Sequence, residues 1–132
     1  MIDVPFRRNR GLIVIEARIT GPRGFRDVDL AVDTGAAMTL IVPDVLDDIG
    51  YNARDGDHST MIHSAVGAEP GYLLRVARFQ ALGYTIPDLL LHIHDLPDNT
   101  GFDGLLGLDF LDQFNYEVRS IENRIRLERI AA

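Results

Sequence analysis

The amino-acid sequence predicts a mainly β fold. Apolar and β-branched runs recur at short, regular intervals, and turns rich in Gly, Pro, Asn and Asp separate them. Helical periodicity is limited to one short segment, residues 109–114. The chain has 132 residues, enough for one sizeable core but too few for two independent ones. We therefore expect residues 1–132 to form a single domain.

The composition narrows the classes of partner. The net charge of −7 argues against a nucleic-acid partner, because phosphate binding requires a basic surface. No apolar run approaches the length that crosses a bilayer, and Glu16 and Arg18 interrupt the apolar segment behind the arginine-rich N-terminus. We therefore expect no signal peptide and no membrane partner, and the compartment stays open with the cytoplasm favoured. Cysteine is absent from the sequence, which excludes disulfides and thiolate chemistry.

The first half of the chain predicts a hairpin and two shorter elements. Residues 11–20 are rich in Ile and Val and predict a strand, and the Gly-Pro-Arg-Gly turn at 21–24 leads back into a second strand, residues 25–32. A short buried strand follows at 38–42. Pro43 then opens a brief helical or turn segment.

The second half predicts a mobile hairpin and the remaining elements. Residues 59–66 and 72–82 predict two strands, and the connection at 67–71 has two Gly and one Pro, a composition typical of a mobile hairpin tip. The remaining segments are predicted as a strand at 89–94, a strand at 105–107, the helix at 109–114 and a last hairpin of residues 116–119 and 124–129.

The stretch around Asp33 carries the main chemical signal. An apolar run, residues 30–32, delivers this one carboxylate into a Thr34-Gly35 turn, and a second apolar run leaves it. A buried carboxylate needs hydrogen-bond donors, since an unpaired buried charge is costly. The Thr34 hydroxyl and the backbone N–H groups around Gly35 can supply them. The alternative is an ordinary β-turn that starts at Asp33, but the apolar flanks favour a functional acid.

A second stretch complements the first. Residues 104–107 predict a short apolar strand that ends in Gly, and Asp109 follows near the helix start, where it can cap the helix or accept a structural hydrogen bond. The pair of motifs, Val-Asp-Thr-Gly-Ala at 32–36 and Leu-Leu-Gly-Leu-Asp-Phe-Leu at 105–111, resembles the retropepsin-like aspartic proteases. The Gly-Leu-Asp form is more similar to cellular and bacterial members than to viral ones. The strand segments between the motifs also fit, so the resemblance covers most of the chain.

The resemblance implies a mainly β, closed β-barrel-like subunit with one short helix and a flap hairpin. It also implies two carboxylates that share one proton and activate a water molecule. Each chain has one Asp-Thr-Gly motif, so either two chains each contribute Asp33 in a homodimer or the protein is not such an enzyme. In the family, the Thr34 equivalent bonds across the dimer and the Gly35 N–H steadies the carboxylate. We therefore expect catalytic Asp33, Thr34 and Gly35 in a homodimeric endopeptidase that cuts polypeptides without a metal or cofactor.

The same resemblance implies two substrate-binding segments. These are Ala36 and Ala37 after the catalytic motif, and Val66, Gly67 and Ala68 in the flap. Two features depart from the viral pattern. Ala37 stands where a polar or acidic residue often follows the motif, which removes a group that could bind the substrate backbone. The flap tip carries Glu69 and Pro70 instead of a run of glycines.

Two other functions remain open. The first is a non-catalytic module of the same fold that dimerises or binds peptides. The second is a metal-dependent hydrolase or metal-binding protein, because His92 and His94 share one face of a predicted strand. His58 or His63 could add a third ligand. Alternation with apolar neighbours explains the same pair as the polar face of a half-buried strand.

Overall fold

The protein is built from short strands and two short α-helices. The computed structural model describes residues 1–56, 58–64, 67–97 and 100–129; for 58–64 and 67–70 it describes the strands and their pairing but not the side chains. Within these residues the strands are β1 (Ile2–Pro5), β2 (Arg7–Asn9), β3 (Leu12–Gly21), β4 (Gly24–Val32), β5 (Leu40–Ile41), β6 (His58–Ser64), β7 (Gly67–Arg75), β8 (Arg78–Ala81), β9 (Tyr84–Pro87), β10 (Leu90–Ile93), β11 (Gly104–Leu106), β12 (Phe114–Arg119) and β13 (Arg124–Arg129). The helices are α1 (Pro43–Asp48), α2 (Leu108–Leu111) and a 3-10 turn at Ala53–Asp55.

The larger sheet positions the segment that contains Asp33. Its strand order is β6-β7-β10-β5-β11-β4-β3-β8-β9, and β2 pairs with β3. β11 lies between β4 and β5. It runs parallel to β4, with Leu105 opposite Ala31, and antiparallel to β5, with Leu105 opposite Leu40. The loop from β4 to β5 begins at Asp33, so β11 holds the strands at both of its ends.

The hydrophobic core covers one face of this sheet, because successive side chains along a strand point to opposite faces. The four central strands all contribute residues with 0% exposure: Leu30, Ile41, Leu91, Ile93 and Leu106. The helices add Val45, Leu46, Phe110 and Leu111 to the same core. The Phe110 ring packs edge-on against Phe79, with 5.7 Å between ring centroids. This contact packs α2 against β8 of the larger sheet.

A second sheet joins the two ends of the described chain. Its order is β1-β13-β12. The Asp3 carboxylate accepts hydrogen bonds from Arg124 at 2.6 Å and from Arg126 at 3.2 Å. These bonds, the one from Arg124 above all, lower the pKa of Asp3. The β12–β13 hairpin agrees with the sequence-based expectation. The sequence did not indicate β1, since four residues with one Asp and one Pro give no clear strand signal.

The mainly β prediction is confirmed, with two corrections to its details. The structure has a second α-helix, α1, where the sequence allowed a helix or a turn; Pro43 suits its first turn. The larger sheet forms a half-barrel with β6 and β9 at its edges, not a closed barrel. Among the described residues, no helix has the length and apolar character needed to span a membrane.

A third correction concerns the flap hairpin. Residues 67–71 were expected at its tip, but Gly67 and Gly71 lie within β7, where Gly67 pairs with Ser64. Residues 65 and 66, between β6 and β7 in the sequence, lie outside the described residues. A Cβ at position 71 would lie 2.7 Å from the carbonyl oxygen of Ile93. Gly71 thus permits close approach of β7 and β10, which explains this glycine without invoking mobility.

Candidate active site

Asp33 directly follows β4 and is half-buried. Its N–H donates to the Leu106 carbonyl at 2.9 Å, so β11 still holds the chain at this residue. The Gly35 N–H donates to the carboxylate Oδ1 at 2.9 Å, and the Ala36 N–H donates to the Asp33 carbonyl at 3.2 Å. The loop therefore turns back on the carboxylate and orients it. The hydrogen bond expected from the Gly35 N–H is present.

Glycine at position 35 leaves room for the acid. A Cβ there would lie 3.1 Å from Oδ1 of Asp33, so any side chain would crowd the carboxylate. In the single chain, Thr34, Gly35 and Ala37 are exposed and Ala36 is half-buried. The motif thus presents an accessible surface directly beside its half-buried acid.

The start of α2 holds the same loop through two backbone hydrogen bonds. The Leu108 N–H donates to the Ala36 carbonyl at 2.8 Å, and the Asp109 N–H donates to the Ala37 carbonyl at 3.1 Å. A Cβ at Gly107 would lie 2.7 Å from the carbonyl carbon and oxygen of Met38. The close contact explains why glycine precedes this helix. The two motifs of the sequence are therefore in direct contact, and the second holds the backbone of the first.

Thr39 and Asp109 form a buried link between the motifs. Thr39 has 0% exposure. The Asp109 carboxylate accepts hydrogen bonds from the Thr39 N–H at 2.9 Å and from its hydroxyl at 2.7 Å. The Thr39 hydroxyl accepts one from the Gly107 N–H at 3.1 Å. Asp109 is thus the structural acceptor that the sequence allowed. Thr39 was missed, although a lone Thr in the apolar strand at 38–42 was the available signal.

Asp33 lies on the face of the larger sheet that is opposite the core. We call this face the active-site face. It is defined by the register row Ala31, Leu105, Leu40 and His92 across β4, β11, β5 and β10. Asp33 is two residues beyond Ala31 and so has the same side-chain direction. Ala31 and Leu40 are buried but lie outside the main core cluster. The acid is therefore next to an apolar sheet surface.

The structure describes the expected flap residues only in part. Gly67 pairs with Ser64 and Ala68 pairs with His63, both in the β6–β7 hairpin. Val66 lies outside the described residues. β7 is separated from β11 by β10 and β5. The described geometry therefore brings Ala36 and Ala37 to Asp33, and leaves contact of Val66, Gly67 and Ala68 with the site as a prediction.

The described side chains do not form the cluster of metal ligands that the metal hypothesis requires. His92 and His94 do share a face. Leu91 before them and Ile93 between them are fully buried on the core side, so the two histidines lie on the opposite side of the strand. Among the residues whose side chains the structure describes, no three His, Asp or Glu groups lie together as metal ligands. The side chains of His58 and His63 fall outside that set.

Comparison with known proteins agrees with this geometry. The family model described as aspartyl protease matches residues 15–110, more than half of the chain. The chain is similar in structure to a retropepsin-like aspartic protease from Rickettsia conorii, with a TM-score of 0.70 and 19% identity over 95% of this chain and 89% of that one. It is also similar to EIAV protease complexed with the inhibitor HBY-793, with a TM-score of 0.58 and 16% identity over 80% of this chain and 90% of that one.

At these identities the two structural matches show a shared fold. No curated protein sequence is significantly similar to the chain. The family match spans both motifs up to Phe110 and includes Asp33, Thr34 and Gly35. The chain therefore belongs to the aspartyl protease family, with the retropepsin-like fold, and is an aspartic protease as its sequence motifs predicted.

Proposed function

We propose that the protein is a homodimeric aspartic endopeptidase that hydrolyses peptide bonds in extended polypeptides. The observation that supports this most is Asp33, one half-buried carboxylate oriented by the Gly35 N–H and held by β11. One carboxylate cannot serve as base and acid at the same moment. A second chain that brings its own Asp33 across a two-fold axis completes the pair.

The proposed dyad shares one proton, because two like charges in contact do not both ionise readily. The ionised carboxylate takes a proton from water as the water oxygen attacks the peptide carbonyl carbon, and the protonated carboxyl donates to the carbonyl oxygen. When the resulting gem-diol collapses, the C–N bond breaks. The amine takes the proton from the first carboxyl, and one diol hydroxyl returns a proton to the second. The dyad again holds one proton.

The other predicted residues have supporting roles in this proposal. Thr34, exposed beside the acid, hydrogen-bonds across the dimer. Ala36 and Ala37 line the cleft next to the acid, and the flap segment, Val66, Gly67 and Ala68, covers the bound peptide. The chemistry needs no metal or cofactor, and residues 1–132 act as one domain. An extended peptide suits such a site because its backbone can pair with strand and flap edges.

Dimerisation is tested by sedimentation at micromolar concentration. Each chain carries a net charge of −7, so two copies repel one another. Added salt screens this repulsion and should strengthen association. A protein that stays monomeric at every salt concentration and still cleaves peptides would contradict the shared dyad.

Subunit mixing tests whether two copies of Asp33 act together. Wild type is mixed with increasing Asp33→Asn at constant total concentration and left to exchange subunits. If the dyad needs two acids, heterodimers are inactive, and activity per wild-type chain falls in proportion to the wild-type fraction. Activity per wild-type chain that is independent of the mixture would show that one acid suffices. A dimer that binds peptides but never cleaves them would favour the non-catalytic module of the same fold.

A further inference from the structure

The histidine pair lies on the active-site face, opposite the core. His92 is paired with Leu73 of β7 and Leu40 of β5. The His92 N–H donates to the Thr39 carbonyl at 3.0 Å, and the His94 N–H donates to the Ile41 carbonyl at 3.2 Å, which extends the ladder through both residues. Both side chains are half-buried. They therefore form part of the surface that continues from Asp33.

The separation suits a bound peptide. The row from Ala31 to His92 crosses three strand spacings, about 14 Å. Asp33 lies two residues, about 7 Å, beyond Ala31, so its separation from His92 is roughly 16 Å. An extended peptide rises about 3.3 Å per residue, so His92 is within roughly five substrate residues of the acid. A Cβ at Gly71 would lie 3.3 Å from Nε2 of His92. The imidazole thus lies over β7 at the base of the β6–β7 hairpin, where a peptide between sheet and flap would pass.

The charges around the pair favour an acidic partner. On the same face, the neighbours of the pair on β7 and β5 are apolar: Leu73, Gly71 and Leu40. Arg75 of β7 adds a positive charge to this face, and its guanidinium donates to the Asp88 carbonyl at 2.9 Å. By register, His58 of β6 is the next position in the row, opposite Leu73. Burial raises the pKa of Tyr72, and three nearby carboxylates raise it further: Asp47, Asp55 and Asp95. Tyr72 is opposite Ile93, on the core face, so those acids approach the other side of the sheet.

We propose that His92 and His94 form a specificity subsite that selects an Asp or Glu side chain of the substrate within about five residues of the scissile bond. This inference rests on the proposed function and adds the substrate class. A protonated imidazole donates a charge-assisted hydrogen bond to a carboxylate, and apolar surroundings strengthen that bond. Burial and the charge of His94 lower the pKa of His92, so selection is strongest in mild acid.

The test is the sequence that surrounds each cleavage site. Wild type, His92→Gln and His94→Gln digest a peptide library from denatured proteins at about pH 5 and about pH 7.5, and mass spectrometry identifies the cuts. We expect Asp and Glu to be enriched several-fold at one position near the cut in mild acid. The enrichment should weaken at the higher pH and disappear in His92→Gln, while cleavage at other sites continues. Arg78→Gln removes one exposed charge from β8 and should match wild type.

Equal acidic enrichment in wild type and His92→Gln, or none in either, would overturn the subsite. No cleavage by wild type at either pH would contradict the proposed function instead. In that case a binding experiment tests the subsite. Immobilised Asp33→Asn protein captures peptides from the same library, and the eluted peptides are sequenced. They should carry an excess of acidic residues that the Asp33→Asn, His92→Gln double variant lacks. Identical eluates would also overturn the proposal.

Discussion

Asp109 accepts hydrogen bonds from both the N–H and the hydroxyl of Thr39, a residue 70 positions earlier in the chain. The same hydroxyl accepts from the Gly107 N–H. These bonds are buried or partly buried, and they join the strand after the Asp33 loop to the start of α2. The link fixes the loop that orients the acid, so its loss should affect both the fold and the chemistry.

Replacement of Thr39 by Val should destabilise the protein. The change keeps the side-chain volume, but it leaves the Gly107 N–H without its acceptor and Asp109 without one donor. A buried unsatisfied group costs about 1–3 kcal/mol, and we expect a loss of that size in urea unfolding at fixed protein concentration. Thr39→Ser retains the hydroxyl and is the control. Equal stability of the Val and Ser variants would contradict the proposed link.

Gly107→Ala and Gly35→Ala should fail in different ways. A Cβ at Gly107 meets the Met38 carbonyl at 2.7 Å, which is backbone and cannot give way easily, so we expect a lower melting temperature. A Cβ at Gly35 meets Oδ1 of Asp33 at 3.1 Å in an exposed loop. Activity should therefore fall about tenfold or more with little change in melting temperature. Matched losses of stability and activity in both variants would show that Gly35 has no separate role at the acid.

Much of this site was predictable because its signals are local. The Asp-Thr-Gly turn between apolar runs indicated the acid and its Gly35 donor, and the Gly107 motif indicated a strand followed by a helix. The contact between them was not predictable in detail. Thr39 in an apolar strand resembles any β-branched residue until α2 places Asp109 against it.

The flap illustrates where composition misleads. Two glycines and a proline at 67–71 are typical of a loop, yet the segment continues β7. Gly71 is explained by the Ile93 carbonyl on β10. That contact depends on which strands become neighbours, and β7 and β10 are brought together by pairing across the β8–β9 hairpin. Local sequence does not report such non-local pairing.

Acid should destabilise the fold through His92. Burial, and then the charge of His94, lowers the pKa of His92 below its ordinary 6.5 in the folded chain. As the pH falls through 6.5 the unfolded chain takes up this proton first, so the free energy of unfolding decreases until the folded-state pKa is reached. His92→Gln should show a smaller decrease in urea unfolding between about pH 7.5 and about pH 5. The same decrease in the variant and in wild type would exclude His92 as its source.

The most direct measurement is cleavage of a denatured protein mixture by wild type and Asp33→Asn, from mildly acidic to neutral pH. In the proposed dimer the substitution removes both carboxylates at once, so the variant should show only background cleavage at every pH, while wild type gives a bell-shaped pH–rate profile. Unfolding should show unchanged or higher stability for Asp33→Asn, because like charges no longer face each other. Full activity of Asp33→Asn would contradict the account and leave Asp33 as an ordinary turn residue.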